Sequence, residues 1–266
     1  MTDFCTAHLY RQLRLSGLLL ASLFASTAHA QTPAPPAPAT YTGPRYPGGP
    51  DSLAAQLQRS LRPASPTPAG QLFVRLELDA AGKATTYQVL KPAAGTPAAA
   101  LFFNPAALAA VQKAVSTLSD WQLGAAPAAP AGAVAVTLPL TLGAAAAAQP
   151  ALVYSEEEPV LPAGYLSPAP KNQPTFGPSL SYTLQRRLGY PVAALRRREE
   201  GTVYAYFEVS ETGAIEQPRI IGSAGSILDA EVLRMVQTIP AAVVPPRSQG
   251  RPVRIYYVLP FAFRLQ

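Results

Sequence analysis

Two stretches of this chain, 131 residues apart, overlie one another without a gap. Gly70-Gln-Leu-Phe-Val-Arg-Leu-Glu-Leu-Asp-Ala-Ala-Gly82 aligns with Gly201-Thr-Val-Tyr-Ala-Tyr-Phe-Glu-Val-Ser-Glu-Thr-Gly213, matching both glycines and Glu77 with Glu208. Each has an apolar residue at every second position, the period of a strand with one buried face, and each ends in a glycine turn. At the far end, Leu138-Pro139-Leu140-Thr141-Leu142 mirrors Leu259-Pro260-Phe261-Ala262-Phe263. A leucine stripe at i, i+4 and i+8 precedes each unit: Leu53, Leu57 and Leu61, then Leu180, Leu184 and Leu188. The economical reading is two copies of helix, hairpin, helix and strand.

That reading predicts an α+β fold of two small units, each a three-stranded antiparallel sheet covered on one face by a helix. In the first unit, Asp51 is placed to cap a short helix, and strands are expected over 70–79, 85–90 and 133–142. A helix from Pro105 would turn Leu108, Val111, Val115 and Leu118 to one face. In the second, a short helix carries Arg196, Arg197 and Arg198, read as a solvated basic face beside Glu199 and Glu200, with an acidic docking partner as the sharper option. Strands follow over 202–209, 214–221 and 253–263, with a helix starting at Ser226 or Asp229. A proline inside each last strand cannot donate to a ladder, which places that strand at a sheet edge or ends its pairing there.

With 30 prolines in 266 residues, much of the rest is spacer. The boundaries read as 1–30, a targeting segment; 31–45, a Pro/Ala spacer; 46–142, the first unit; 143–175, a low-complexity solvated linker containing Glu156-Glu157-Glu158; and 176–266, the second unit. Arg11 and Arg14 precede the apolar run Leu15 to Ala25, and Ala28-His29-Ala30 comes before Gln31. These are the three regions of a secretory signal, with cleavage expected between Ala30 and Gln31. The alternative is an uncleaved anchor, but the run falls short of the about 20 apolar residues that span a bilayer.

Cleavage there would remove Cys5, His8 and His29, which are all the cysteine and histidine of the chain. What remains has no thiol nucleophile, imidazole base or disulfide. No phosphate-binding loop and no S-x-x-K motif is present, so neither catalysis nor a cofactor nor a metal site is expected. The net charge of +6 comes without the basic, aromatic-interleaved stripe of a nucleic-acid binder.

The second unit resembles the TonB C-terminal domain family. Tyr190-Pro191-x-x-Ala194, Glu200-Gly201-x-Val203, the turn glycine Gly213, Arg219-Ile220-Ile221-x-Ser223-x-Gly225, Leu228-Asp229 and Gly250-x-Pro252-Val253 before Leu259-Pro260-x-x-Phe263 carry the likeness. The first unit resembles a degenerate copy. It opens with Tyr46-Pro47-Gly48-Gly49 and contains Trp121, but lacks the Tyr-Pro-x-x-Ala helix; the second has Ala242 near where the family often has Trp. The resemblance implies a periplasmic protein that pairs an edge strand with a short extended segment of an outer-membrane TonB-dependent receptor or another envelope protein. It would engage an inner-membrane motor complex only if the N-terminus stayed uncleaved and anchored. By position, the partner-binding strand would contain Arg254, Ile255, Tyr256, Tyr257, Val258 and Leu259. An envelope scaffold using the same fold is the alternative.

Overall fold

Alternation in the sequence becomes, in the computed structural model, two sheets of three antiparallel strands, built alike and placed face to face. The structure describes residues 37–61, 69–124, 134–143, 151–167 and 175–265; the expected signal, with the cleavage expected between Ala30 and Gln31, lies outside them.

In the first sheet, β1 (Gly70–Leu78) is central, between β2 (Ala84–Val89) and β3 (Val134–Leu142). In the second, β4 (Gly201–Val209) lies between β5 (Ile215–Gly222) and the last long strand, which becomes β8 (Ile255–Phe263) once a two-residue pair, β6 (Arg247–Ser248) and β7 (Arg251–Pro252), is numbered. The central-to-last pairings are superposable. Gly70 faces Leu142 through to Leu78 facing Val134, and Gly201 faces Phe263 through to Val209 facing Ile255. Pro139 and Pro260 thus fall opposite equivalent residues, Phe73 and Tyr204. The turns correspond too. Gly82 and Gly213 have φ of 81° and 85°, and their carbonyls accept from Trp121 N (2.7 Å) and Ala242 N (2.8 Å). A Cβ on either would run into the Trp121 or Ala242 carbonyl, so glycine is required twice over, by backbone angle and by space.

Helices cover one face of each sheet. In the first unit α1 (Gly49–Ser60), the short α2 (Pro97–Phe102) and α3 (Pro105–Ser116) close a core with Leu72, Val74, Leu76 and Leu78 and with Leu138, Leu140 and Leu142. Helix α1 starts before Asp51, which sits in its first turn and does not cap it. On α3 the buried row is Ala107, Val111 and Ala114, while Leu108 is exposed, so the helix is turned from the expected stripe. The small alanines allow close approach to α1 and α2. Leu108 instead takes the fourth helical position, outside the core; Asn104 caps the helix by accepting from Ala107 N (3.0 Å).

In the second unit α4 (Phe176–Arg187), α5 (Val192–Arg197) and α6 (Ser226–Val236) pack over Val203, Ala205, Phe207 and Val209 and over Ile255, Leu259, Phe261 and Phe263. Asp229 helps fix the start of α6: its carboxylate accepts from Ser223 Oγ (2.6 Å) and Ala224 N (3.2 Å).

The other faces of the sheets are not left to solvent. Phe73, Leu90, Tyr206, Ile221 and Tyr256 form a third cluster between them. Phe73 meets Tyr206 edge-on at 5.4 Å, and Arg75 lies 6.0 Å from the Tyr204 ring. In the common register Phe73 corresponds to Tyr204 and Arg75 to Tyr206, so the contacts are reciprocal, as across a two-fold axis. Leu90 and Ile221, equivalent in the same way, both lie in the cluster. Arg219 clamps the seam, with its guanidinium 4.0 Å from the Tyr206 ring and a hydrogen bond to Gln71 Oε1 (3.0 Å). The resulting order is helices, sheet, sheet, helices.

The expected solvated linker is also different where it is described. Residues 151–161 run as a strap against the second unit, burying Tyr154, Ser155, Glu158 and Leu161. Proline and alanine discourage regular structure, but they do not prevent an extended segment from pairing one residue at a time.

Candidate partner-binding edge

A β-strand sends successive backbone N–H groups to opposite sides, which allows the outer edge of β8 to be read from two bonds. Tyr256 N donates to Leu152 O (3.1 Å), and Ala262 N to Gln185 Oε1 (3.3 Å), both away from β4. Val258 and Pro260 fall in the same alternating row. Pro260 therefore occupies a position where a missing N–H costs the sheet nothing. Val258 is the one residue between Tyr256 and Ala262 with an N–H to offer a new strand.

The side chains of the expected partner-binding set are engaged inside the protein. Ile255 and Leu259 are in the second core. Tyr257, on the same face, stacks on Phe207 (5.6 Å) and tilts against Phe176 (4.8 Å). Tyr256 and Val258 face the other sheet; Tyr256 stacks on Tyr206 (5.6 Å) and its hydroxyl donates to Thr137 O (2.9 Å). Burial pushes both Tyr256 and Tyr257 well above the ordinary tyrosine range. Arg254 lies just before β8, pairing with Glu216 (2.6 Å), Glu208 (2.9 Å) and Glu211 (3.4 Å). Glu208 is buried and also accepts from the Tyr206 hydroxyl (2.6 Å). Arg254 thus ties both strands of the β4–β5 hairpin to the base of β8. What the edge presents to a partner is backbone.

The remaining motif residues hold the frame. Tyr190 packs edge-on against Phe263 (5.3 Å), and its hydroxyl donates to Glu199 O. Pro191 precedes α5, and Ala194 is its fully buried contact. The Glu200 carboxylate accepts from Leu265 N. Gly201, with φ of 147°, sits against Ala224, where a Cβ would approach the alanine methyl to 2.8 Å.

Leu152 and Gln185, absent from the sequence reading, and Glu158, read there as part of a solvated linker, complete the edge. Leu152 pairs with the base of β8 in parallel sense, its N–H donating to Arg254 O (2.9 Å). Gln185 of α4 closes the far end, returning a hydrogen bond from Nε2 to Ala262 O (3.1 Å). Glu158 fastens the strap: its Oε2 accepts from Phe176 N (2.9 Å), supplying the cap that Thr175, at the start of α4, does not. The strap continues through paired bonds between Glu157 and Arg247 and between Val160 and Val244, and its other side takes Tyr41 N to Glu156 O (2.9 Å). The signal in the sequence was Leu152-Val153-Tyr154, a strand-forming triplet within the proline-rich tract.

Burial raises the Glu158 carboxyl to about 7, against a lowering by the Phe176 N–H, with the Tyr41 and Tyr257 rings nearby. A carboxyl raised on folding favours the protonated folded form. Its contribution is complete below the ordinary carboxylate range and is lost as pH climbs to about 7. Hydrogen exchange at Glu158 and its strap neighbours should therefore speed up over that window, by at most about tenfold per pH unit beyond the intrinsic rate. Glu158→Gln should remove the extra slope; a slope unchanged in that variant would exclude Glu158 as its source.

Among the described residues no helix is long and apolar enough to cross a membrane, and no group of three or more His, Cys, Asp or Glu is placed to hold a metal ion. Residues 186–265, within the second unit, match the family model of the Gram-negative bacterial TonB protein C-terminal. The match runs from the end of α4 through β8 and does not extend to the first unit. No curated protein and no solved structure matches the chain.

Proposed function

We propose that this is a periplasmic TonB-like protein that binds an extended segment of an outer-membrane receptor, or of another envelope protein, by strand addition along β8. The observation that carries the reading is Leu152: the chain's own segment already pairs with this edge through two backbone hydrogen bonds. Strand addition of this kind takes affinity from the main chain and selectivity from alternate side chains. Delivery follows from the signal ending at Ala30, and the role is binding rather than catalysis.

The first unit, 46–142, is on this reading a degenerate second copy, with 143–175 as the join. The shared nine-pair register, the equivalent prolines and the matching Gly82–Trp121 and Gly213–Ala242 contacts support it.

The edge is already held at both ends, by Leu152 and Gln185. That favours a second reading, an envelope scaffold whose edge stays closed. One titration separates them, using periplasmic protein whose N-terminus is Gln31 and a synthetic peptide of a receptor's extended coupling segment. Val258→Pro removes an outward N–H without touching the β4–β8 ladder, and should weaken binding about tenfold or more. Leu152→Pro should tighten it by freeing the base of the edge. No binding by either the natural chain or Leu152→Pro would leave the scaffold.

A further inference from the structure

Helix α5 is docked the unexpected way round. Its fully buried residue is Ala194, the smallest contact available, while Val192 is 63% exposed and Leu195 43% exposed. Val192, Leu195 and Arg196 are spaced i, i+3 and i+4, so they share the face turned away from the core. Five arginines fall within thirteen residues here: Arg186 and Arg187 at the end of α4, then Arg196, Arg197 and Arg198. All five are exposed. Of the two acids that follow, Glu199 ion-pairs with one of these arginines, Arg197. Glu200 is taken by Leu265 N, and Glu199 approaches only Arg197, at 3.7 Å. Among the described residues neither Arg196 nor Arg198 has an acidic partner. Arg198 leaves the helix in the left-handed region, φ 53°, which ends α5.

A soluble surface gains nothing by turning valine and leucine into water while burying alanine. The same face is well matched to a boundary that is anionic on its surface and apolar just beneath. There guanidinium groups meet phosphates while short aliphatic side chains enter the headgroup layer. We propose that α5, with the arginines at the end of α4, is a membrane-surface contact for anionic phospholipid. An acidic protein would use the charges, but it would need an apolar depression of its own to receive Val192 and Leu195. Val192, Leu195 and the arginines are all turned to solvent, which suits a soft planar partner. The contact lies outside the β8 edge and is independent of strand addition.

The test is co-sedimentation of the purified chain with phosphatidylglycerol-containing vesicles and with pure phosphatidylcholine vesicles. Binding is expected to the anionic vesicles alone, and to fall as salt rises toward about 1 M, where the screening length is about 3 Å. Arg196→Glu with Arg198→Glu should reduce it about tenfold or more. Val192→Ser with Leu195→Ser should weaken it while leaving the salt dependence in place. All four positions are exposed, and circular dichroism confirms that each variant remains folded. Absence of binding to anionic vesicles would overturn the proposal, as would variants that bind like the natural chain. Capture of poly-glutamate without vesicle binding would also overturn it, and would reassign the face to an acidic protein.

Discussion

Replacing Phe207 by alanine is expected to lower the unfolding free energy by about 3–5 kcal/mol, and to bring Tm down by roughly 10 °C. Phe207 is fully buried in the middle of the central strand of the second sheet, with the Tyr257 ring stacked on it at 5.6 Å. Truncation opens a cavity directly beneath β8, and the β4–β8 ladder prevents the strands from collapsing to fill it. Thermal unfolding followed by circular dichroism reads the effect. A loss under about 1 kcal/mol would mean that this core is far less rigidly packed than its burial implies. Phe207→Leu, which keeps most of the volume, should cost markedly less.

Arg254→Met should be the most damaging change among the charged residues, destabilising by about 2–3 kcal/mol. The methionine keeps the stem, but Glu208 is left buried with no cation, while Glu211 and Glu216 can turn to water. Arg254 is part exposed, so solvent reduces the loss below that of a fully enclosed pair. The three carboxylates hold the guanidinium well above its ordinary pKa, the Glu208 hydrogen bond contributing most, so no accessible pH discharges the arginine itself. Adding Glu208→Gln to Arg254→Met removes the stranded charge and should restore more than half of the loss. Urea unfolding of the two single variants and the double variant decides it. A double variant no better than Arg254→Met would show that the loss comes from packing of the arginine stem.

These expectations change what the sequence suggested for Arg254, from a residue met by a partner to one that fastens a hairpin. The difference has a physical source. Alternation fixed β1, β4, β3 and β8 to within about two residues, because period-two burial is a local property. The turns at Gly82 and Gly213 were equally plain, since few residues reach positive φ. The destination of the second row of each strand was not legible. Phe73, Tyr204, Tyr206 and Tyr256 put single aromatic rings among polar residues or tyrosines on the second face of their strands, a pattern that names no covering element. The strap was hidden for the opposite reason. Its hydrogen bonds form isolated bridges between segments about 90 to 100 residues apart, as between Leu152 and Arg254 and between Glu157 and Arg247, which no local pattern records. The small helix α2 was also unread, having only one buried residue, Leu101, to give it a period.

The reciprocal seam between the sheets also bears on how the two halves stay together. Contacts of the form Phe73 to Tyr206 and Tyr204 to Arg75 are those that two free chains would make in a symmetric pair. Carried on one polypeptide, the same association is intramolecular, with an effective partner concentration on the order of millimolar. An interface too weak to hold two separate molecules at cellular dilution is then strong enough, and diluting the protein does not part its halves. Each sheet has its helices on one side and its counterpart on the other. Anything that joins them must come to a rim.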